Sequence, residues 1–107
     1  CGGRFDIVLA SSGEDGHIAS LFPNHHWVEK KKKGYLLIDD APKPPPGRMS
    51  ASYELILQAN TGIVLFFGRG KRNALLNFMN RDLSYQECPA KIIAKIPHYY
   101  LLTDQEV

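Results

Sequence analysis

The strongest strand signal of this chain is Thr61-Gly62-Ile63-Val64-Leu65-Phe66-Phe67, which is followed directly by Gly68-Arg69-Gly70-Lys71. Nearly every position of the first run is apolar, a pattern typical of a strand that is buried on both faces at the centre of a parallel sheet. The glycines that follow indicate a turn. Beyond the turn, the spacing predicts an amphipathic helix whose apolar face is formed by Ala74, Leu75, Phe78 and Met79.

Other segments continue this alternation of strand and helix. Apolar runs predict strands at 5–10, 35–38 and 98–102 and a short strand at 48–52, and helical spacing predicts short helices or turns at 18–22, 53–59 and 89–93. Alternating strands and helices favour a parallel sheet covered by helices. We therefore predict an α/β fold with a mostly parallel sheet flanked by helices, a Rossmann-like three-layer αβα arrangement.

Size and composition narrow the class of protein. The chain has 107 residues, 44% of them hydrophobic and 22% charged, which fits one small globular domain and excludes a disordered chain. A net charge of +2 without a basic stripe argues against a nucleic-acid partner. The lysine run at 30–33 is interpreted as a solvated loop. No apolar run reaches the roughly 18 residues of a membrane span, so no membrane partner is expected.

The ends of the chain and its cysteines bear on compartment and completeness. Cys1 and Cys88 have neither metal-like nor redox-like spacing, so we expect a reducing compartment and a cytoplasmic location. No apolar leader precedes the first strand, and no initiator Met is present. The chain is therefore expected to begin inside a larger protein.

The first candidate site follows the strand at 5–10, in Ser12-Gly13-Glu14-Asp15-Gly16-His17. Open α/β sheets bind ligands at the carboxyl ends of their strands, and a glycine lets the backbone turn sharply there. We therefore predict that His17 is presented to a ligand as a catalytic residue. Asp15 either closes the turn by bonding its own backbone, or orients the imidazole or binds sugar hydroxyls.

The second candidate site is the Gly68-Arg69-Gly70-Lys71 corner. A helix start offers backbone N–H groups and a positive dipole end to phosphate, and Lys71 adds a full charge. The pattern is neither a dinucleotide fingerprint nor a P-loop. The alternative interpretation is a pair of helix-capping glycines beside an exposed lysine.

A proline-rich strap, Ala41-Pro42-Lys43-Pro44-Pro45-Pro46-Gly47, precedes Arg48. Its prolines indicate an extended, polyproline-like connection, which an SH3-like partner could also recognise. The planar guanidinium of Arg48 can hold phosphate through two parallel hydrogen bonds, so we predict that Arg48 binds phosphate and that Lys43 is a surface lysine.

His25 and His26 are adjacent in the sequence, and adjacent residues of a regular element cannot both face one metal ion. No carboxylate or cysteine lies at ligand spacing from them. We therefore predict no metal site.

Three of these motifs resemble the family of 6-phosphogluconolactonases and glucosamine-6-phosphate deaminases. The Asp-Gly-His of 15–17 follows a strand in that family, and Ala-Ser-Leu-Phe-Pro at 19–23 is similar to the lactonase branch. The acidic-x-Pro-Lys-Pro-Pro-Pro-x-Arg of the strap and the Gly-x-x-Lys of the corner also resemble lactonases. The similarity runs from Phe5 to Asp104 but lacks the family's amino-terminal glycine-rich loop. Residues 1–107 are therefore expected to be the carboxyl-terminal part of a single lactonase domain, with the missing amino-terminal half as partner.

The resemblance implies hydrolysis of 6-phospho-D-glucono-1,5-lactone to 6-phosphogluconate in the oxidative pentose phosphate pathway. His17 and Asp15 would be the catalytic residues, and Arg48, Gly68 and Lys71 would bind the sugar phosphate. No cofactor is implied, and the isolated chain is expected to be inactive. A deaminase is disfavoured because no carboxylate follows His17 before Glu29. A non-catalytic sugar-phosphate-binding domain is the remaining alternative.

Overall fold

The computed structural model describes residues 4–29 and 34–106, without the side chains of Trp27 and Glu29, so the lysine run at 30–33 lies outside the described residues. In chain order the strands are β1 (Ile7–Ser11), β2 (Tyr35–Ile38), β3 (Arg48–Ala51), β4 (Thr61–Phe66) and β5 (His98–Thr103). The α-helices are α1 (Tyr53–Leu57) and α2 (Arg72–Met79), and the 3₁₀ helices are His26–Glu29, Arg69–Lys71 and Pro89–Lys95.

The main sheet has the order β1-β4-β5, and both pairings are parallel. Thr61 at the start of β4 pairs with Ile7 of β1 on one side and with His98 of β5 on the other. The predicted α/β class and the central place of the 61–67 run are therefore confirmed.

Helices cover one face of this sheet. Val64 and Phe66 are fully buried there, and the Phe66 ring lies 5.3 Å from the Phe78 ring of α2. Gly62 leaves room for the 3₁₀ helix Pro89–Lys95, because a Cβ on Gly62 would lie 2.9 Å from Cγ2 of Ile93. Ala74 and Leu75 are buried as predicted. The placement of Met79 on the buried face of α2 is wrong, since its side chain is 55% exposed.

The opposite face of the sheet is apolar and open. Side chains of alternate strand residues point to opposite faces, and on this face the exposed fraction is 62% for Ile7, 64% for Leu9, 60% for Tyr100 and 48% for Leu102. The described residues thus form two layers of the predicted three-layer arrangement. The second helical layer is not supplied by this part of the chain.

Strands β2 and β3 lie outside the parallel sheet and pair antiparallel with each other, with Tyr35 opposite Ala51. The proline strap connects them. Antiparallel neighbours can be joined by a short connection, whereas parallel neighbours need a long crossover. The short connection between the two strands therefore favours a separate ribbon.

The predicted helical turn at 18–22 is wrong. Ile18 and Leu21 instead form an isolated antiparallel bridge, and the Leu21 N–H donates to the Ile18 carbonyl at 2.9 Å. Ala19 has a φ of +50°, which a right-handed helix does not allow. The Ser20 N–H donates to Oγ of Ser50 in β3, so a long-range contact replaces a helical bond. No helix in the described part of the chain is long and apolar enough to cross a membrane.

Candidate active site

The predicted catalytic loop closes tightly at the carboxyl end of β1. The Ser12 N–H continues the sheet by donating to the Leu65 carbonyl at 2.9 Å, and the Gly13 N–H then donates to the His17 carbonyl at 2.8 Å. Gly16 has a φ of +89°, and a Cβ there would lie 3.0 Å from Sγ of Cys88. The turn therefore requires glycine at this position. Cys88 is buried, and burial raises the pKa of its thiol. The group that packs against Gly16 is therefore an uncharged thiol.

The loop folds the His17 ring back over Gly13. An ideal Cβ on Gly13 would lie 2.1 Å from Cε1 of His17, so no other side chain fits without moving the imidazole. The ring remains 20% exposed. Glycine at position 13 thus sets where the imidazole lies.

Asp15 holds the imidazole from the other side. Its Oδ1 lies 2.5 Å from Nδ1 of His17 and also accepts the His17 backbone N–H at 3.1 Å. Burial raises the pKa of the Asp15 carboxyl, but the hydrogen bonds and charge of His17, with the charge of Lys43, outweigh it and hold the pKa below its ordinary value. An ionised carboxylate only accepts hydrogen bonds, so Nδ1 carries a proton, and in the neutral form of the imidazole Nε2 is the acceptor. Asp15 thus makes both predicted contacts, since Oδ1 closes the turn through the His17 backbone N–H and also holds the imidazole.

The Phe22 ring lies beneath the site. It is 1% exposed, and its centroid is 4.6 Å from that of His17. The Arg48 guanidinium carbon lies 5.3 Å from the same ring. Phe22 therefore connects the His17 loop with Arg48 at the end of the strap, a contact that the sequence did not predict because Phe22 was assigned to a short apolar helical turn.

Arg48 uses several of its donors on the strap. Its Nε donates to the Pro45 carbonyl at 3.0 Å, and its Nη2 donates to the carbonyls of Pro44 at 2.9 Å and Lys43 at 3.3 Å. The Nε and Nη2 atoms are thus bound to backbone carbonyls, and Nη1 makes no hydrogen bond to the described residues. The observed contacts of Arg48 stabilise the strap. Phosphate binding by Arg48 stays a prediction.

The prediction of Lys43 as a surface lysine is incomplete. Its side chain is 46% exposed, but Nζ lies 3.4 Å from Oδ2 of Asp15. The prediction that the strap is extended is wrong, because the Ala41 N–H donates to the Pro46 carbonyl at 3.0 Å and closes the strap into a loop. Local sequence carries no signal for the contact between Lys43 and Asp15, because it joins two distant loops.

The Gly68–Lys71 corner lies next to the His17 loop, since Nζ of Lys71 contacts the Ser12 carbonyl. Two details differ from the prediction of free N–H groups. The Gly68 N–H donates to both carboxylate oxygens of Asp104, at 3.0 and 3.2 Å. A Cβ on Gly70 would lie 2.2 Å from Oε1 of Glu14, so an acidic side chain covers this turn. Lys71 is the cationic group of the corner that contacts the His17 loop, through the Ser12 carbonyl.

A second cluster lies away from this loop. His25 and His26 both turn toward Asp40, with their ring centroids 4.5 Å apart. No carboxylate lies at ligand spacing from these histidines in the sequence, but folding brings Asp40, the residue before the strap, to both of them.

Comparison with known proteins fixes the family. The sequence profile of "Glucosamine-6-phosphate isomerases/6-phosphogluconolactonase" matches residues 2–100. The chain belongs to this family. A 6-phosphogluconolactonase of Borreliella burgdorferi is 37% identical over 100 residues, covering 94% of this chain and 43% of that protein. The human 6-phosphogluconolactonase is 35% identical over 94 residues, covering 88% of this chain and 35% of that protein.

Solved structures of family members share the fold. A 6-phosphogluconolactonase of Thermotoga maritima superimposes with a TM-score of 0.77 at 21% identity, covering 94% of this chain and 43% of that one. That of Trypanosoma brucei gives a TM-score of 0.72 at 27% identity, covering 94% and 40%. The chain thus spans less than half the length of these family members, and its fold is part of their domain.

Proposed function

We propose that this chain is the carboxyl-terminal part of a 6-phosphogluconolactonase that hydrolyses 6-phospho-D-glucono-1,5-lactone to 6-phosphogluconate. The observation that carries the proposal is the pairing of His17 with Asp15 at the carboxyl end of β1. The comparisons do not specifically place the chain in the carboxyl-terminal half of its relatives, so that placement rests on the order of the motifs. Residues 1–107 would then belong to a single lactonase domain.

His17 is the proposed general base. Asp15 holds the proton on Nδ1, so Nε2 accepts a proton from a water molecule as its oxygen bonds to the lactone carbonyl carbon. The bond between that carbon and the ring oxygen then breaks, and the ring oxygen takes the proton from Nε2. The acid product ionises to 6-phosphogluconate. A lactone is an activated ester, so this step needs only a positioned water, a base and donors for the oxyanion.

Cationic side chains would hold the phosphate. Lys71 is next to the catalytic loop, and Nη1 of Arg48 completes the proposed phosphate site. Gly68 would contribute by shaping the turn, because its N–H is bound to Asp104. Lys43 adds a positive charge beside Asp15 that the sequence interpretation did not include. No step of this hydrolysis calls for a cofactor.

Activity is proposed for the longer protein, with the isolated chain inactive. The open sheet face formed by Ile7, Leu9, Tyr100 and Leu102 is apolar and supports the idea that further chain covers it. The remaining walls of the substrate site would come from that missing part.

The test compares turnover of freshly prepared lactone by a longer protein containing this chain, its His17→Ala variant and a matched His98→Ala variant. Loss of about 10²- to 10⁴-fold in His17→Ala alone supports the general base. Turnover at the spontaneous rate by the unmodified protein, with retained binding of 6-phosphogluconate, would identify a non-catalytic sugar-phosphate-binding domain. Ammonia release from glucosamine 6-phosphate would instead identify a deaminase.

A further inference from the structure

The turn after Phe22 presents two imidazoles side by side. The His25 N–H donates to the Phe22 carbonyl at 3.1 Å, and the 3₁₀ helix His26–Glu29 begins at the next residue. The two rings have centroids 4.5 Å apart and planes inclined by 35°. This irregular backbone lets adjacent histidines face the same point, which a strand would not allow.

Asp40 lies at that point. Its Oδ2 is 2.8 Å from Nε2 of His26, and its Oδ1 is 3.4 Å from Nε2 of His25. One potential ligand atom from each of the three residues lies within 4.8 Å of the others. A tetrahedral ion with bonds of about 2.1 Å separates its ligand atoms by roughly 3.4 Å, so small side-chain movements would suffice to enclose one.

We propose that His25, His26 and Asp40 bind a divalent transition-metal ion of the Zn²⁺ type. Zn²⁺ and similar ions bind imidazole nitrogens and carboxylate oxygens, whereas Mg²⁺ and Ca²⁺ prefer oxygen ligands. Two imidazole nitrogens and one carboxylate oxygen therefore favour an ion of the Zn²⁺ type. This inference is independent of the proposed lactonase chemistry, which uses His17 and no metal.

A cleft among the described residues borders two of the three proposed ligands. Asp40 and His26 have side chains 51% and 55% exposed, whereas that of His25 is 14% exposed. A cleft of about 540 Å³ borders both histidines and is also lined by Asn24, Ser84, Gln86 and Glu87. Three protein ligands would leave at least one coordination position open to this cleft.

The His25 ring points its Nε2 atom toward Asp40. Its Nδ1 is buried and has no hydrogen-bond partner among the described residues, whereas Nε2 lies 3.1 Å from the Asp40 carbonyl and near the Asp40 carboxylate. A metal bond would use this Nε2 atom in place of its contact with the Asp40 carbonyl, and the ring proton would then lie on Nδ1.

Metal binding would attach one end of the strap to the turn that carries His25 and His26. Asp40 directly precedes the strap. The two ends of the strap are joined by a hydrogen bond from the Ala41 N–H to the Pro46 carbonyl at 3.0 Å. An ion joining Asp40 to both histidines would anchor the strap to the segment that follows Pro23. Binding to the folded state alone would also stabilise that state.

The test is a titration of the full 107-residue chain with Co²⁺, followed by competition with Zn²⁺, in a Cys1→Ser background that removes a competing thiol. Tetrahedral Co²⁺ gives a characteristic visible absorption band. We expect saturable binding of one ion, at least tenfold weaker in His26→Gln and Asp40→Asn and unchanged in His98→Ala. His26→Gln retains an N–H donor for Asp40, and circular dichroism checks that each variant is folded.

Three results would overturn the site: absence of saturable binding by the folded chain, equal affinity in His26→Gln and the unmodified protein, or loss of binding only when His17 is replaced. Binding and activity are measured separately. Failure of the metal site would therefore leave the proposed lactonase function untouched.

Discussion

Nζ of Lys43 lies 3.4 Å from Oδ2 of Asp15, while Oδ1 of the same carboxylate lies 2.5 Å from Nδ1 of His17. One carboxylate therefore joins the proline strap to the His17 loop. A movement of the strap would move the positive charge of Lys43 away from Asp15. It would thereby change the electrostatic surroundings of the His17 imidazole, which Lys43 reaches only through Asp15.

Replacing Asp15 with Asn should lower the free energy of unfolding in a pH-dependent way. A carboxyl whose pKa lies below its ordinary value of 3.8 in the folded state stabilises that state above this pH. The stabilisation is lost as the pH falls through the lowered folded-state value. Urea unfolding of both proteins between about pH 2 and 6 should therefore show a stability difference that shrinks toward acid. A difference that stays constant over this range would contradict the ionised pairing.

Replacing Lys71 or Arg48 with Ala should weaken binding of 6-phosphogluconate far more than binding of unphosphorylated gluconate. A hydrogen bond to a charged group contributes about 1.5 to 3 kcal/mol, which corresponds to a loss of roughly 10- to 150-fold. Calorimetric titration of a longer protein containing this chain measures both ligands. Lys95→Ala is a matched control, because Lys95 lies over the Tyr85 ring, 4.8 Å from its centroid. Equal losses for both ligands would mean that Lys71 and Arg48 only support the fold.

Replacing Gly13 with Ala should reduce activity more than stability. The new methyl group would lie 2.1 Å from the His17 ring, and the imidazole would have to move away from Asp15. Gly47→Ala is the control, because a Cβ there meets nothing within 4 Å. Turnover should fall at least tenfold in Gly13→Ala, by analogy with a misplaced base. Wild-type turnover by this variant would show that the observed ring position is not the working one.

The isolated chain should turn over no lactone and should associate as its concentration rises. Exposed apolar side chains at Leu9 and Tyr100 favour contact between copies when nothing else covers the sheet. Leu9→Lys should therefore shift light scattering toward the monomer. Leu37→Lys, at a residue 77% exposed on the β2–β3 ribbon, is the control. Full specific activity of the isolated chain would show that it is not a fragment.

Local sequence was sufficient to predict the elements in which one hydrophobic or capping pattern dominates. The unbroken apolar run at 61–67 gave the central strand, and the carboxyl ends of parallel strands share one edge, which brings Lys71 to the His17 loop. The predicted helix at 53–59 forms as α1, with Oγ of Ser52 accepting the Leu55 N–H at 3.1 Å. These features depend on contacts between residues that are neighbours in sequence or in the sheet.

Contacts between distant loops were not predictable from local patterns. The approach of Lys43 to Asp15 and of Asp40 to the histidines depends on the path of the strap, which composition describes only as extended. The turn at Ala19 depends on Ser50, a residue of another strand. Met79 has helical spacing, but α2 ends there and leaves its side chain exposed.

The contact of Gly68 with Asp104 bears on how the protein should be produced. Thr103 also donates through Oγ1 to the Phe66 carbonyl at 2.7 Å, and Nε2 of Gln105 donates to the Gly68 carbonyl at 2.5 Å. A recombinant version that stops after Leu102 would keep every side chain of the proposed site and still lose the anchor of the turn that carries Lys71. Affinity tags and truncations should therefore leave residues 103–106 intact.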